Sequence, residues 1–61
     1  SNIVIQLNGK KRGLITCNTN TDENKIIDLI KSDERYINYL KDKTIKKTIY
    51  VKDRLINLIL E

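Results

Sequence analysis

Hydrophobic and polar positions alternate with a short period at the start of the chain. An apolar run at residues 3–7 ends at Asn8-Gly9, and a second strand-like run follows at residues 10–16. Asn-Gly between two such runs predicts a hairpin with a type I′ turn, because that turn needs positive φ at both central positions. Gly13 interrupts the second run, which indicates a bulge or a point where another backbone comes close.

The middle of the chain has helical spacing. Thr21 is predicted to cap a helix whose first turn holds Asp22 and Glu23, where the helix dipole favours anions. Asp33 can cap a second short helix, and the pattern leaves open whether the two segments form one bent helix or two. The predicted inward side chains, at i, i+3 and i+4 spacing, are Ile26, Ile27, Leu29 and Ile30 in the first segment and Tyr36, Ile37 and Leu40 in the second.

The last third of the chain returns to strand-like alternation. Residues 45–51 and 54–60 form two runs joined by a tight connection at Lys52-Asp53. Two hairpins that flank a helical segment predict an α+β domain of ββ-α(α)-ββ order, with a mainly antiparallel sheet and the helices packed on one face. Alternation in the third strand predicts Ile45, Lys47, Ile49 and Val51 on one side and Lys46, Thr48 and Tyr50 on the other.

Length and composition limit the chain to one small domain with a hydrocarbon core. We place this domain at residues 3–61 of the 61-residue chain and interpret Ser1-Asn2 as the remnant of an expression tag. Cys17 is the only cysteine and histidine is absent, so neither a disulfide nor a four-ligand soft-metal site can be assembled. No apolar run approaches the roughly 20 residues of a membrane span and no signal peptide is visible, so we expect no membrane contact.

Catalytic chemistry is not predicted for this chain. The commonest general base is missing, and no nucleophile–base pair can be recognised by spacing. Asp22 and Glu23 could ligate a divalent ion, but helix capping is the favoured interpretation, and Cys17 is interpreted as a passive thiol. We therefore expect no catalytic residue, no cofactor and no metal here.

Positive charge is concentrated in the predicted strands and turns. Twelve Lys and Arg residues against eight Asp and Glu give a net charge of +4. Cations that cluster gain affinity for phosphates by releasing counterions, which favours a polyanionic partner, although lysines on edge strands also prevent aggregation without any ligand. The eight candidates for RNA contact are Lys10, Lys11, Arg12, Lys43, Lys46, Lys47, Lys52 and Arg54.

Two further side chains in the strands have competing interpretations. Tyr50 lies beside Lys46 on one strand face and could stack on a base or ribose. The favoured interpretation is that its ring covers the core and leaves its hydroxyl in water. Asn57 stands among apolar residues of the last strand, so we expect it to pair with main chain in the sheet or in a turn.

Five segments of the chain also carry a shared pattern in a fixed order. They are residues 5–13, which read IQLNGKKRG, then Thr21-Asp22-Glu23, Tyr39-Leu40, residues 43–51 and residues 54–59. Together they resemble the carboxy-terminal domain of bacterial-type leucyl-tRNA synthetases, which opens with V-Q-V-N-G-K-x-R-G. The resemblance covers nearly the whole chain, from about residue 3 to residue 60, and its order and spacing make it specific.

This resemblance implies a module at the carboxy end of a class I synthetase, joined to it by a flexible linker. In that family the module reaches the tRNA corner, where the D and T loops meet near the long variable arm, and supports aminoacylation and editing. The fragment alone would not be an enzyme. Its parent would be an ATP-dependent leucine–tRNA ligase that uses ATP and Mg²⁺ in other domains. The implied partner is leucine tRNA, the implied location is the cytoplasm, and the isolated domain is expected to be a monomer.

Matching positions transfer the family's basic residues to this chain. Lys10 and Arg12 match basic positions after the Asn-Gly turn. Lys46 and Lys47 match a basic pair before the apolar run of the third strand, and Arg54 matches a basic position before the last strand. We expect these residues to contact phosphates or the tRNA corner. Four other matched residues are assigned to architecture rather than to RNA contact, namely Asn8, Gly9, Gly13 and Asn57.

Two aspartates depart from the family pattern. Asp42 and Asp53 stand where the family usually has glycine, at the turns on either side of the third strand. Asp tolerates positive φ better than most residues, so the fold is expected to survive. Their charge could weaken phosphate contacts of the neighbouring Lys43, Lys52 and Arg54.

Two alternative functions remain open at this point. The chain could be a protein-interaction or interdomain docking module whose exposed strand edges pair with another chain or with the synthetase body. It could also be a generic RNA-binding module. Such a module would share the salt dependence of tRNA binding without preferring one tRNA fold.

Overall fold

The structure is a computed structural model that describes all residues, 1–61, and contains four strands and two helices. The strands are β1 (Asn2–Leu7), β2 (Lys10–Thr16), β3 (Ile45–Val51) and β4 (Leu55–Leu60), and the helices are α1 (Glu23–Ser32) and α2 (Glu34–Leu40). The predicted α+β class and element order are confirmed, and the helical segment is two helices. β1 begins at Asn2, one residue earlier than predicted.

The sheet has the strand order β2-β1-β4-β3. Both hairpins are antiparallel, whereas the central strands β1 and β4 are parallel, so the sheet is mixed. Parallel neighbours need a crossover connection, which β2, the helices and β3 together supply. Because β1 and β4 run in the same direction, the β1–β2 turn and the start of β3 lie at the same end of the sheet.

The core lies between the helices and one face of the sheet. Leu29 and Ile37, predicted to point inward, are instead 37% and 44% exposed. Each helix is short, and only side chains one turn apart, such as Ile26 and Ile30, can face the sheet together. The nine buried residues are Ile3, Ile5, Leu7, Ile15, Ile26, Ile30, Tyr36, Ile56 and Leu58.

The start of α1 lies one residue later than predicted. Asp22 caps the helix, and its Oδ1 accepts a hydrogen bond from the backbone N–H of Lys25 at 2.9 Å. The hydroxyl of Thr21 donates to a carbonyl of the preceding loop. A carboxylate is favoured at this position because it faces the positive end of the helix dipole. Asp33 caps α2 as predicted, by accepting from the N–H of Arg35 at 2.9 Å.

A bulge in β3 corrects the predicted faces of that strand. The pairing register shifts between Ile45 and Lys47, so one residue is inserted there. Ile45 consequently packs on the helix-facing side with Thr48 and Tyr50, and the prediction that placed it on the opposite side is wrong. An assignment of faces by regular alternation assumes that no residue is inserted in the strand. An inserted residue reverses the predicted faces of the side chains that precede it.

A second bulge lies in β2 and confirms the irregularity predicted near Gly13. Ile5 pairs with Gly13 and the next residue of β1 pairs with Lys11, which leaves Arg12 as the extra residue. The group that comes close to Gly13 is a side chain. A Cβ at position 13 would overlap the hydroxyl oxygen of Tyr36 and lie 3.1 Å from its Cζ.

The turns adopt the left-handed conformations that the sequence indicated. Asn8 and Gly9 have φ of 53° and 81°, as a type I′ turn requires. Asp42 and Asp53 have φ of 59° and 61°, the left-handed region that glycine adopts most readily, and both turns form with aspartate as expected. Neither helix is long and apolar enough to cross a membrane.

Candidate nucleic-acid interface

Two asparagine side chains fix the β1–β2 turn against β4. The Oδ1 of Asn57 accepts a hydrogen bond from the N–H of Gly9 at 3.0 Å, and the Oδ1 of Asn8 accepts one from the N–H of Leu60 at 2.7 Å. The predicted main-chain pairing of Asn57 is thereby confirmed. These bonds hold the basic start of β2 beside the carboxyl end of β4.

The start of β2 presents its three basic side chains in different directions. Lys10 pairs with a buried residue of β1 and lies on the helix-facing side of the sheet. Lys11 lies on the other side, which no helix covers and which we call the open sheet face. Arg12 is the bulged residue, and its guanidinium lies over the ring of Tyr39 in α2, with the Cζ 5.0 Å from the ring centroid. All three basic side chains are exposed.

A shallow concavity of about 220 Å³ lies between this hairpin, the end of α2 and the end of β4. It brings Lys43 to Lys10 and Arg12, although more than thirty positions separate them in the sequence. A cationic hollow lined by an aromatic ring suits a nucleotide, because the cations attract phosphate and the ring can stack on a base. Its lining residues are Leu7, Asn8, Lys10, Arg12, Tyr39, Lys43 and Leu60.

Lys46 and Lys47 lie at the same end of the sheet on the opposite edge strand. Three strand spacings separate β2 from β3, which amounts to about 14 Å. Both lysines are exposed, and the β3 bulge lies between Ile45 and Lys47. Six of the eight candidates therefore share one end of the molecule. We call this set the basic end; it consists of Lys10, Lys11, Arg12, Lys43, Lys46 and Lys47.

Lys52 and Arg54 are not part of the basic end. They flank the β3–β4 turn, which lies at the opposite end of the sheet, on the order of 15 Å away along the strands. Between them, the Oδ1 of Asp53 accepts hydrogen bonds from the N–H of Asn20 at 3.0 Å and from the hydroxyl of Ser1 at 3.1 Å. The Asp53 carboxylate thus ties this turn to the loop before α1.

The basic end is free of intramolecular ion pairs. Asp33 and Arg35, at the start of α2, form the one salt bridge of the chain at 2.8 Å. Hydrogen bonds from the Arg35 side chain and N–H lower the pKa of Asp33, and the same pairing raises the pKa of Arg35. A phosphate that approaches any of the eight candidate side chains consequently has no carboxylate to displace.

Tyr50 has a structural role that accounts for its position. Its ring is half-buried against the core, and its hydroxyl donates to the carbonyl oxygen of Thr21 at 2.7 Å. The ring covers the core as expected, whereas its hydroxyl bonds to main chain instead of water. Stacking of Tyr50 on RNA stays a prediction.

Tyr39 is the site residue that the sequence did not identify. Its ring is 42% exposed and lines the concavity. The pairing with Arg12 depends on the β2 bulge, which Gly13 indicated without showing that Arg12 is the inserted residue. The one sequence signal that pointed to Tyr39 was its place in the matched segment Tyr39-Leu40.

Other chemistry is sparse. No group of three or more His, Cys, Asp or Glu side chains is arranged to hold a metal ion. Cys17 is a half-buried free thiol. Asp22, the alternative metal ligand, has its carboxylate engaged as the α1 cap.

Comparison with known proteins connects this arrangement to one group of enzymes. No family model matches the sequence. The chain is 44% identical over 57 residues to a leucine–tRNA ligase of Dichelobacter nodosus, covering 93% of this chain and 7% of that protein. It is 41% identical over 59 residues to a leucine–tRNA ligase of Mesoplasma florum, covering 97% of this chain and 7% of that protein. The chain therefore spans about 7% of the length of these relatives.

A solved structure has the same fold. It is the ternary complex of an Agrobacterium radiobacter LeuRS with tRNA and LeuAMS. The similarity has a TM-score of 0.89 at 28% sequence identity and covers 98% of this chain and 8% of that chain.

Proposed function

We propose that this chain, which is homologous to one segment of leucine–tRNA ligases, is the carboxy-terminal tRNA-binding domain of such an enzyme. The domain contacts the corner of leucine tRNA, where the D and T loops meet near the long variable arm. It supports leucine aminoacylation and editing by the parent enzyme. The parent carries out the chemistry with ATP and Mg²⁺ in other domains, and this domain contributes binding only.

The basic end is the observation that carries this proposal. Six exposed cations share one end of a domain 30 Å long, and none forms a salt bridge within the chain. Release of counterions from RNA phosphates would make such a surface bind RNA with a steep salt dependence. The LeuRS of similar fold was solved with tRNA, which supports tRNA as the partner.

The remaining parts of the proposal follow from the resemblance to the family. A flexible linker joins the domain to the synthetase body, the protein works in the cytoplasm, and the isolated domain is monomeric. Tethering raises the effective concentration of the domain beside the tRNA, so the free domain can bind weakly and still act in the parent.

A pair of charge variants tests the proposal. Lys10→Gln/Lys43→Gln removes two cations of the basic end, whereas Lys25→Gln/Lys31→Gln removes the same charge from α1. Binding of a leucine tRNA transcript to each domain is measured by fluorescence anisotropy between about 20 and 200 mM salt.

Each lost phosphate contact reduces the slope of log affinity against log salt by about 0.7–0.9. The basic-end variant should therefore lose about 1.4–1.8 units of slope, and the α1 variant should keep the wild-type slope. Equal behaviour of the two variants would contradict a localised RNA surface and would favour a generic effect of net charge.

A docking module is the competing function, and one feature of the open sheet face favours it. An apolar row crosses all four strands there, with Leu14 and Val51 45% and 44% exposed at its two ends and Val4 and Leu55 between them. The occupant of this face would be another part of the parent chain, because the relatives extend far beyond the matched segment. Pairing through the strand edges is disfavoured, since both edge strands carry a bulge and basic side chains.

A further inference from the structure

We infer that the Arg12–Tyr39 pair is a stacking platform for one unpaired nucleobase, which enters the concavity beside the β1–β2 turn. The inference rests on the proposed function and adds to it the kind of RNA feature that the site selects. A fully paired RNA helix would meet only the cations, whereas a base splayed from a loop would also meet the platform.

The first support is the geometry of the pair itself. The Cζ of Arg12 lies 5.0 Å from the centroid of the Tyr39 ring, within the range of a cation–π contact. The pair is held from both sides: the β2 bulge sets the direction of Arg12, and α2 carries Tyr39. Guanidinium planes and aromatic rings are the two surfaces on which proteins stack unpaired RNA bases.

Exposure is the second support. Tyr39 is 42% exposed and makes no hydrogen bond within the chain that would explain a tyrosine there. Tyr36 and Tyr50, by contrast, are placed by core packing. A large aromatic side chain left in the wall of a cationic hollow is available for a ligand.

The third support is the polar lining of the concavity. Lys10 and Lys43 line the same hollow as the pair and can bind the phosphates that flank a splayed nucleotide. Asn8 also lines the hollow. Its Oδ1 is occupied by the N–H of Leu60 at 2.7 Å, which fixes the amide and leaves the Nδ2 hydrogens to donate to acceptor atoms on a base edge. The hollow, with a volume of about 220 Å³, is large enough for one base.

Binding of two matched RNA hairpins to three single variants tests the inference. Both hairpins are closed by a non-nucleotide linker in place of a loop, so that one is fully paired and the other carries a single unpaired nucleotide in the stem, with equal numbers of phosphates. The variants are Tyr39→Ala, Tyr39→Phe and, as the control, Ile37→Ala, which removes a 44% exposed side chain of the same helix outside the concavity.

Loss of one base–aromatic stack should weaken binding of the RNA with the unpaired nucleotide by about 5- to 150-fold in Tyr39→Ala. Tyr39→Phe and Ile37→Ala should stay within about twofold of wild type, because the phenyl ring retains the stacking surface. The salt slope of Tyr39→Ala should be unchanged, since no phosphate contact is lost. Binding of the fully paired hairpin should not respond to any of the three variants.

A fluorescent base keeps the inference testable even if Tyr39→Ala fails to fold. With 2-aminopurine as the unpaired nucleotide, wild-type domain should quench the fluorescence and Tyr39→Phe should quench it equally. Unchanged fluorescence on binding, or equal affinity of Tyr39→Ala and wild type for both hairpins, overturns the platform while the salt-dependent binding of the basic end stands. Absence of salt-dependent binding by the wild-type domain to any RNA overturns the proposed function as well.

Discussion

The contact between Gly13 and Tyr36 is the most exacting steric constraint in the fold. A methyl group at position 13 would overlap the Tyr36 hydroxyl and lie 3.1 and 3.4 Å from two ring carbons. Tyr36 is 1% exposed and cannot swing into solvent, and its hydroxyl has no hydrogen-bond partner in the protein. The φ of Gly13 lies outside the left-handed region, so alanine would be opposed by this contact and not by its backbone conformation.

We expect Gly13→Ala to destabilise the domain by about 1–3 kcal/mol, the usual cost of adding a methyl group to a packed interior. A domain of this size has a free energy of unfolding of roughly 3–9 kcal/mol, so this loss is a large share of it. Near the melting temperature each kcal/mol shifts the midpoint by about 4–8 °C in domains this small. Thermal unfolding followed by circular dichroism would therefore resolve the effect.

Tyr36→Phe tests the steric explanation, because it removes the hydroxyl oxygen that the Cβ of alanine at position 13 would overlap. The phenylalanine variant alone should be within about 1 kcal/mol of wild type, since the deleted hydroxyl is buried without a protein partner. Combined with Gly13→Ala it should recover most of the loss, leaving the remainder due to the ring carbon at 3.1 Å.

Gly9→Ala is the control for this rescue. No atom lies within 4 Å of a Cβ at position 9, and the cost there comes from the φ of 81°. Tyr36→Phe should not rescue it. Normal melting of Gly13→Ala, or equal effects of Tyr36→Phe on both glycine variants, would refute the steric account.

Four other substitutions have expected outcomes that urea unfolding can check. Asp53→Gly should lose about 1 kcal/mol, because the carboxylate that holds the loop before α1 is removed. Asp42→Gly should stay within about 0.5 kcal/mol of wild type, since it has no such bonds and positive φ suits glycine, and it should bind RNA more tightly; weaker binding would contradict the role given to its charge. Asn57→Ala should lose about 1 kcal/mol through the unpaired turn amide, and an unchanged midpoint would show that the turn does not depend on this anchor. Asp33 has a lowered pKa in the folded state, so its contribution to stability is present above the ordinary aspartate pKa of about 3.9 and is lost as pH falls through the folded pKa. Asp33→Asn keeps the capping oxygen and should flatten the decline of stability between about pH 5 and pH 2, whereas the same decline in both proteins would show that other carboxylates cause it.

Local signals predicted the parts of the fold that depend on local chemistry. Asn8-Gly9 specified the first turn because few residues adopt its positive φ, and Asp33 specified the second helix because its side chain replaces a missing backbone acceptor. The element order followed from periodicity. Asp42 and Asp53 also adopt positive φ, as the tolerance of aspartate for this conformation predicted.

Local signals did not predict how distant parts of the chain pair in the sheet. The parallel pairing of β1 and β4 joins strands from the two ends of the chain, and nothing in either strand specifies its partner. The β3 bulge has no signal in the composition of its strand, and Gly13 indicated the β2 bulge without showing which residue is inserted. The faces of Ile45 and Arg12 could therefore not be assigned. The candidate site was predicted in its residue types, while its geometry depended on these features. The strand pairing and the bulges bring Lys10, Lys43 and Tyr39 together in the concavity. They leave Arg54 at the opposite end of the sheet.

The measurement that tests the central claim most directly is an amide NMR titration of the domain at low salt. A leucine tRNA transcript and a plain RNA hairpin of similar length are added to separate samples. The account predicts that the tRNA shifts the amides of residues 9–12, 39, 43 and 46–47, and that the hairpin shifts them much less. Equal shifts from both RNAs would contradict selectivity for the tRNA corner. No shift from either RNA, or shifts confined to the apolar row of the open sheet face, would contradict RNA binding at the basic end.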